Sequence, residues 1–178
     1  LPISNVDMAA RFLYEGDMAW ANTDGDGNYT LAGLPTGVFQ IHARGDRYVD
    51  QETVVSVNVA GSALSADFAL SHGASIAGIV VDAETGLPIA RVGVEAQSDS
   101  GYGWTETDAD GRFNIRGLAA GTYRIEARDG EQGYIRQFHD NSADWDRARL
   151  VTVAGTALIE DIRFELDRGA TITGTVTD

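Results

Sequence analysis

The chain has 178 residues, 43% of them hydrophobic, and a formal net charge of −14 set by 27 acidic against 13 basic residues. That length suits one domain or two with packed cores; the acidity argues against a phosphate-binding surface or docking on anionic lipid, so no nucleic acid partner is expected, and with no run of 18 apolar residues no membrane insertion is expected. Every basic residue is Arg and there is no Cys, which removes lysine chemistry, disulfides and thiolate metal sites. The chain opens at Leu1 without an initiator Met and reads as an excerpt, with any secretion signal upstream or already removed.

The chain repeats itself, and a repeat has to be recognised before individual elements are read. "LPISNVDMAA" (1–10) matches "LPIARVGVEA" (87–96), and "WANTDGDGNYTLAGLPTGVFQIHARGD" (20–46) matches "WTETDADGRFNIRGLAAGTYRIEARDG" (104–130), which places Trp20 on Trp104. Residues 55–82 match residues 150–178, placing Asp82 on Asp178. The second copy is longer chiefly because "EQGYIRQFHDNSADWDRAR" occupies a region the first crosses with "DRYVDQETV". In chain order, apolar residues alternate: Phe39, Ile41, Ala43; Val55, Val57, Val59; Phe113, Ile115; Tyr123, Ile125, Ala127; Ile162, Phe164, Leu166. Period two predicts strands. With Gly, Asp, Asn and Pro clusters between the runs and no helical stretch, the chain is predicted to be all-β, each copy a small sandwich of two antiparallel sheets.

"TDGDGNYTLAGLPTG" (23–37) places Asp24, Asp26 and Asn28 at alternating positions, as a calcium loop does. The second copy, "TDADGRFNIRGLAAG", puts Arg112 at the fifth loop position, and Pro35 and Ala119 stand where a bidentate Glu belongs. A turn explains both copies: Asp24 and Asp108 accept from backbone amides ahead of them, and Gly27 and Gly111 take the positive φ that closes a hairpin. No cofactor is expected; calcium stays open for the first copy alone, where Asn28 allows partial coordination.

The motif GxVxDxxTGxPIxxxxVxxx followed by TDxDGxFxxxGLxxGTYxIxA, carried by "GIVVDAETGLPIARVGV" and "TETDADGRFNIRGLAAGTYRIEA", resembles the carboxypeptidase regulatory-like domain. "RFELDRGATITGTVTD" extends the likeness, and "TDGDGNYTLAGLPTGVFQIHA" and "DFALSHGASIAGIVVD" repeat it in the first copy. The resemblance implies tandem transthyretin-like β-sandwiches, a scaffold used in tandem on secreted and surface proteins, and says little about activity. Related collagen-adhesin B-type domains close a Lys–Asn isopeptide bond, for which this chain has no Lys. His42, His72 and His139 do not match between copies, so no hydrolase site is read.

Three further stretches carry candidate chemistry. Arg44-Gly45-Asp46 is read as a turn, since the aligned "ARDG" shows how readily one arises there. Asn28-Tyr29-Thr30 is an accessible glycosylation sequon in a host with the machinery. "FHDNSADWDRAR" (138–149) has three readings: a surface loop pinned by Trp145; a hard-cation site from Asp140, Asn141, Asp144 and Asp146; or a sugar platform on which Trp145 stacks while Asp144 and Asp146 bind hydroxyls. The surface loop is preferred, because charge runs are usually solvated.

The resemblance implies an opening strand ahead of each Leu-Pro-Ile segment, represented by "ASIAGIVVD" at 74–82. The expected organisation is therefore a first sandwich over 1–72 lacking its opening strand, a second over 73–168, and a surplus opening strand at 169–178 presenting Ile172, Gly174 and Val176. Such a strand belongs either to a following repeat or to a neighbouring subunit, a heterologous contact that builds a fibre. "LSHGASIAG" has no flexible linker, so a stiff rod is expected. The expected function is a non-catalytic structural repeat of an extracellular filament, stalk or adhesin, partnered end to end by copies of itself. The rival is a carbohydrate-binding or accessory module of a secreted enzyme.

Overall fold

The computed structural model describes residues 1–12, 17–99 and 101–177, and its contacts divide the chain into two units, Leu1–His72 and the residues from Gly73 on. The first unit is built on β1 (Asp7–Phe12), β2 (Asp17–Asn22), β3 (Gly37–Arg44) and β4 (Gln51–Val57), in one antiparallel sheet of order β2-β1-β3-β4. Because successive side chains on a strand point to opposite faces, the alternation at Phe39, Ile41 and Ala43 puts all three on one face, buried with Val6, Met8, Ala10 and Ala19. Tyr29, Leu31, Leu34, Phe68 and Leu70 pack on that face from residues 28–34 and 64–70, which form no strand.

The second unit has two sheets. β6 (Gly93–Ser98), β7 (Gly101–Glu106), β9 (Gly121–Arg128) and β10 (Gln137–Phe138) run in the order β10-β9-β6-β7, with β11 (Val151–Val153) also paired to β9; the other sheet is β12-β5-β8, from β5 (Ala74–Asp82), β8 (Arg112–Leu118) and β12 (Leu158–Leu166). Their inward residues, among them Ile76, Val80, Val94, Phe113, Ile115, Tyr123, Ile125, Phe164 and Leu166, form a single buried core. Full burial of side chains of this size stabilises by roughly 1.5–3 kcal/mol each. The all-β class is as the sequence predicts, but among the described residues the first unit forms one sheet rather than the two expected of each copy, and in the second unit β12 runs parallel to β5. The last strand enters after the other sheet has been built, so no hairpin obliges it to run antiparallel.

One pair of contacts repeats in atomic detail in both units. Thr107 Oγ1 accepts from Val92 N–H at 2.9 Å and donates to the Ile89 carbonyl at 2.7 Å. Thr23 makes the same pair to Val6 N–H at 2.9 Å and the Ile3 carbonyl at 2.7 Å. Each buried hydroxyl ties the Leu-Pro-Ile segment to the strand preceding the Asp-Gly turn, which explains why both segments recur together. Among the described residues no helix is long and apolar enough to cross a membrane.

Candidate strand-acceptor site

In the second unit β5 is the middle strand of its sheet, parallel to β12 on one side and antiparallel to β8 on the other. It contributes Ala74, Ile76 and Val80 to the core, all fully buried. Gly78 lets the strand sit that deep: a Cβ there would lie 1.9 Å from the Ile162 carbonyl oxygen and 2.8 Å from the Phe113 ring. Phe113 and Phe164, one from each flanking strand, meet beneath it with ring centroids 6.2 Å apart.

The first unit has the flanks without the middle. Residues 28–34 align with β8, putting Tyr29, Leu31 and Leu34 where Phe113, Ile115 and Leu118 stand; residues 64–70 align with β12, putting Ala66, Phe68 and Leu70 where Ile162, Phe164 and Leu166 stand. All six second-unit residues are buried, and all six first-unit counterparts are only half-buried. Tyr29 and Phe68 nevertheless stand at nearly the same spacing as their counterparts, 6.5 Å between ring centroids. Across the gap the Tyr29 hydroxyl donates to the Ala66 carbonyl at 2.5 Å. Burial, and secondarily the Asp67 carboxylate, pushes the Tyr29 phenol up from its ordinary value.

The segment resembling β5 lies elsewhere. Residues 170–177 belong to no sheet and are exposed throughout, Ile172 at 98% and Val176 at 103%. Ile172, Gly174 and Val176 align with Ile76, Gly78 and Val80. Around Gly174 a Cβ would meet nothing within 4 Å, so nothing in its present surroundings calls for glycine. The segment is anchored at its root: Gly169 N–H donates to the Gly133 carbonyl at 2.8 Å, and Arg168 lies 3.4 Å from Asp82 and over the Tyr134 ring. Asp82 accepts from Glu84 and Thr85 N–H and from the Tyr134 hydroxyl. The Thr85 amide and then the Tyr134 hydroxyl hold its pKa at about 2, below the ordinary 3.8. Asp178, its counterpart by alignment, lies outside the described residues.

The other candidates read as structural. Asp24 Oδ1 accepts from Asp26 N–H and Asn28 N–H, both at 2.9 Å, and Asp108 Oδ1 from Asp110 N–H at 2.9 Å and Arg112 N–H at 2.8 Å. Gly27 and Gly111 close the turns at φ 77 and 70. These bonds, the Asn28 amide foremost, hold the Asp24 carboxyl below its ordinary range. Asp26 and Asn28 are exposed on the same turn, which leaves the sequon accessible. Among the described residues no three His, Asp or Glu side chains are grouped as metal ligands. Arg44 pairs with Asp50 at 2.7 Å and Tyr48 N–H donates to the Gly45 carbonyl, so Arg44-Gly45-Asp46 opens a turn.

In the 138–149 loop, Asp140 and Asn141 take positive φ, and Asp144 caps a 3-10 turn at Trp145–Arg147 by accepting from Asp146 N–H. The Trp145 ring meets Phe138 edge-on at 5.6 Å and lies 4.9 Å from the Arg124 guanidinium, which also donates to the Trp145 carbonyl. This is the geometry of a loop pin. The histidines serve local packing: His72 stacks on Tyr48, His42 lies 3.6 Å from Glu52, and His139 packs on Phe164 with its pKa lowered by burial and by Arg149. The buried Thr23 and Thr107 hydroxyls escaped the sequence reading, although their identical place before Asp-x-Asp-Gly in both copies was the available signal.

Two facing sheets, with a middle strand running parallel to the last, make the second unit a β-sandwich. Residues 75–138 match the carboxypeptidase regulatory-like domain model. No curated protein matches the chain. Solved structures similar to it include the Bacillus anthracis TIE protein (14% identity, TM-score 0.37, covering 92% of this chain and 30% of that one). Others are the minor pilin GBS52 of Streptococcus agalactiae (17% identity, TM-score 0.37, covering 99% and 88%) and the shaft pilin SpaA of Lactobacillus rhamnosus GG (15%, 0.38, covering 96% and 90%). The chain spans less than a third of the TIE protein's length.

Proposed function

We propose that the protein is a non-catalytic structural repeat of an extracellular filament, stalk or adhesin, in which a β5-type strand completes the first unit. The observation that carries this is the gap between residues 28–34 and 64–70, matched within the same chain by a filled version of the same site. The occupant is the 169–177 segment of another copy, or the equivalent strand of an adjoining repeat in a continuous array. It would lie parallel to 64–70 and antiparallel to 28–34, the pattern β5 keeps with β12 and β8. Each ladder hydrogen bond would contribute about 1 kcal/mol, and Ile172 and Val176 would leave water for the half-buried face. The contact is heterologous, so it propagates rather than closing on itself. Secretion and a surface location follow as part of the same reading, consistent with an acidic, lysine-free chain that stays soluble when extended.

The test uses the full chain and a synthetic peptide of residues 169–178. Hydrogen exchange should show new protection over 28–34 and 64–70 on peptide addition, and electron microscopy of concentrated chain should show end-to-end oligomers that excess peptide caps. A chain that stays monomeric at millimolar concentration, with those amides exchanging as fast with peptide as without it, overturns the proposal.

A further inference from the structure

We propose that the second unit binds a neutral oligosaccharide in the cleft beside Trp104, on the outer face of the sheet containing β6, β7 and β9. The alternation that buries Val94, Ala96, Ile125 and Ala127 turns Glu95, Gln97, Arg124, Glu126 and Arg128 outward, and on β7 it turns Tyr102 and Trp104 the same way. Register sets Trp104 beside Glu95, and Tyr102 beside Gln97. Tyr102 and Trp104 are 60% and 52% exposed. They stand two residues apart on the strand, about 7 Å between Cα atoms.

The cleft has a volume of about 380 Å³, with Arg91, Glu95, Trp104, Glu106, Arg128 and Glu131 in its lining. Gly93 opens the floor, since a Cβ there would come 3.2 Å from the indole nitrogen. Arg128 is ion-paired to Glu95 across it. The far wall is held in place: Asp129 accepts from Glu131 N–H and Tyr134 N–H, and the Gln132 amide donates to the Ala90 carbonyl at 2.8 Å. The site is therefore formed before any ligand arrives. The first copy lacks it. Asp7 stands at the Gly93 position and accepts from the Asn22 amide, and Ala9 replaces Glu95.

The lining chooses among ligands. A cation would face Arg91 and Arg128, and an anion would face Glu95, Glu106, Asp129 and Glu131. A neutral ligand whose rim groups both donate and accept satisfies both sets, the carboxylates accepting and the guanidinium groups donating. Sugar hydroxyls do this, while the apolar face of a pyranose ring lies on the indole. The inference rests on the second unit alone and is independent of strand donation.

The full chain is screened on a glycan array that includes neutral, anionic and cationic glycans, then titrated by calorimetry with cellohexaose, maltohexaose, laminarihexaose and chitohexaose. At least one neutral oligosaccharide should bind, and Trp104→Ala should weaken it by about tenfold or more. Gly93→Asp, which installs the first copy's residue, should do the same while the chain stays folded by circular dichroism. Trp20→Ala and Trp145→Ala should change affinity by no more than about twofold. Should Trp104→Ala lower the melting temperature, Gly93→Asp decides. Absence of binding to every neutral glycan, preference for charged glycans or a trimethyl-lysine peptide, or binding that survives Gly93→Asp overturns the proposal.

Discussion

Gly78 and Ile162 meet backbone to backbone, with room for no side chain between the glycine Cα and the Ile162 carbonyl. Gly78→Ala should therefore destabilise the second unit even in an isolated chain, as overpacking of a closed core typically costs about 1–3 kcal/mol. Gly174→Ala should leave the melting temperature of the isolated chain unchanged, because nothing surrounds that residue. The same change should abolish end-to-end assembly and peptide capture. Differential scanning calorimetry with analytical ultracentrifugation separates the two effects.

The two phenylalanines of the core walls give a second contrast. Phe164 is fully buried, and Phe164→Ala should cost about 3–5 kcal/mol in chemical denaturation. Phe68 holds the matching place in the open unit and is half-buried. Phe68→Ala should cost distinctly less in the lone chain, and the gap between the two should narrow when excess 169–178 peptide is present.

The buried Thr107 hydroxyl serves two backbone groups, so Thr107→Val strands both the Val92 N–H and the Ile89 carbonyl. A loss of about 2–3 kcal/mol is expected, with Thr107→Ser restoring most of it. Thr23→Val should act in the same direction on the first unit. Urea melts of the three variants check this.

Asp82 carries the pH dependence. Its folded pKa, about 2, lies below the ordinary 3.8, so its ionised form stabilises the fold. That contribution is complete above the unfolded value and is lost as pH falls through the window from 3.8 toward about 2. Melting temperature should therefore drop steeply across that window in the native chain. In Asp82→Asn it should start lower at neutral pH and fall less, as read by circular dichroism.

Much of the architecture was legible in residue order. Alternation at Phe39, Ile41 and Ala43, and again at Tyr123, Ile125 and Ala127, depends only on side chains of a strand pointing to opposite faces, so it marked β3 and β9 with their buried sides. The Asp-x-Asp-Gly turns were equally readable: a short carboxylate reaching its own backbone is a local event, and Arg112 at the fifth loop position, with Pro35 and Ala119 at the twelfth, argued against a shared metal explanation. The alignment of Ile172, Gly174 and Val176 with Ile76, Gly78 and Val80 also came from residue order alone.

Contacts between distant segments decided the rest. That Tyr29 and Phe68 hold their spacing without a strand between them depends on the sheet beneath, which no local pattern reports. Trp145 was read as the pin of its loop, but the partners it packs against, Arg124 and Phe138, are brought to its ring only by folding. Residue order only paired Trp104 with Trp20; the cleft beside it exists because folding brings Gly93 and the 129–132 loop there. Periodicity records which face a residue takes, a property of the nearest few bonds; what stands opposite that face is settled by long-range packing, where chain neighbours carry no information.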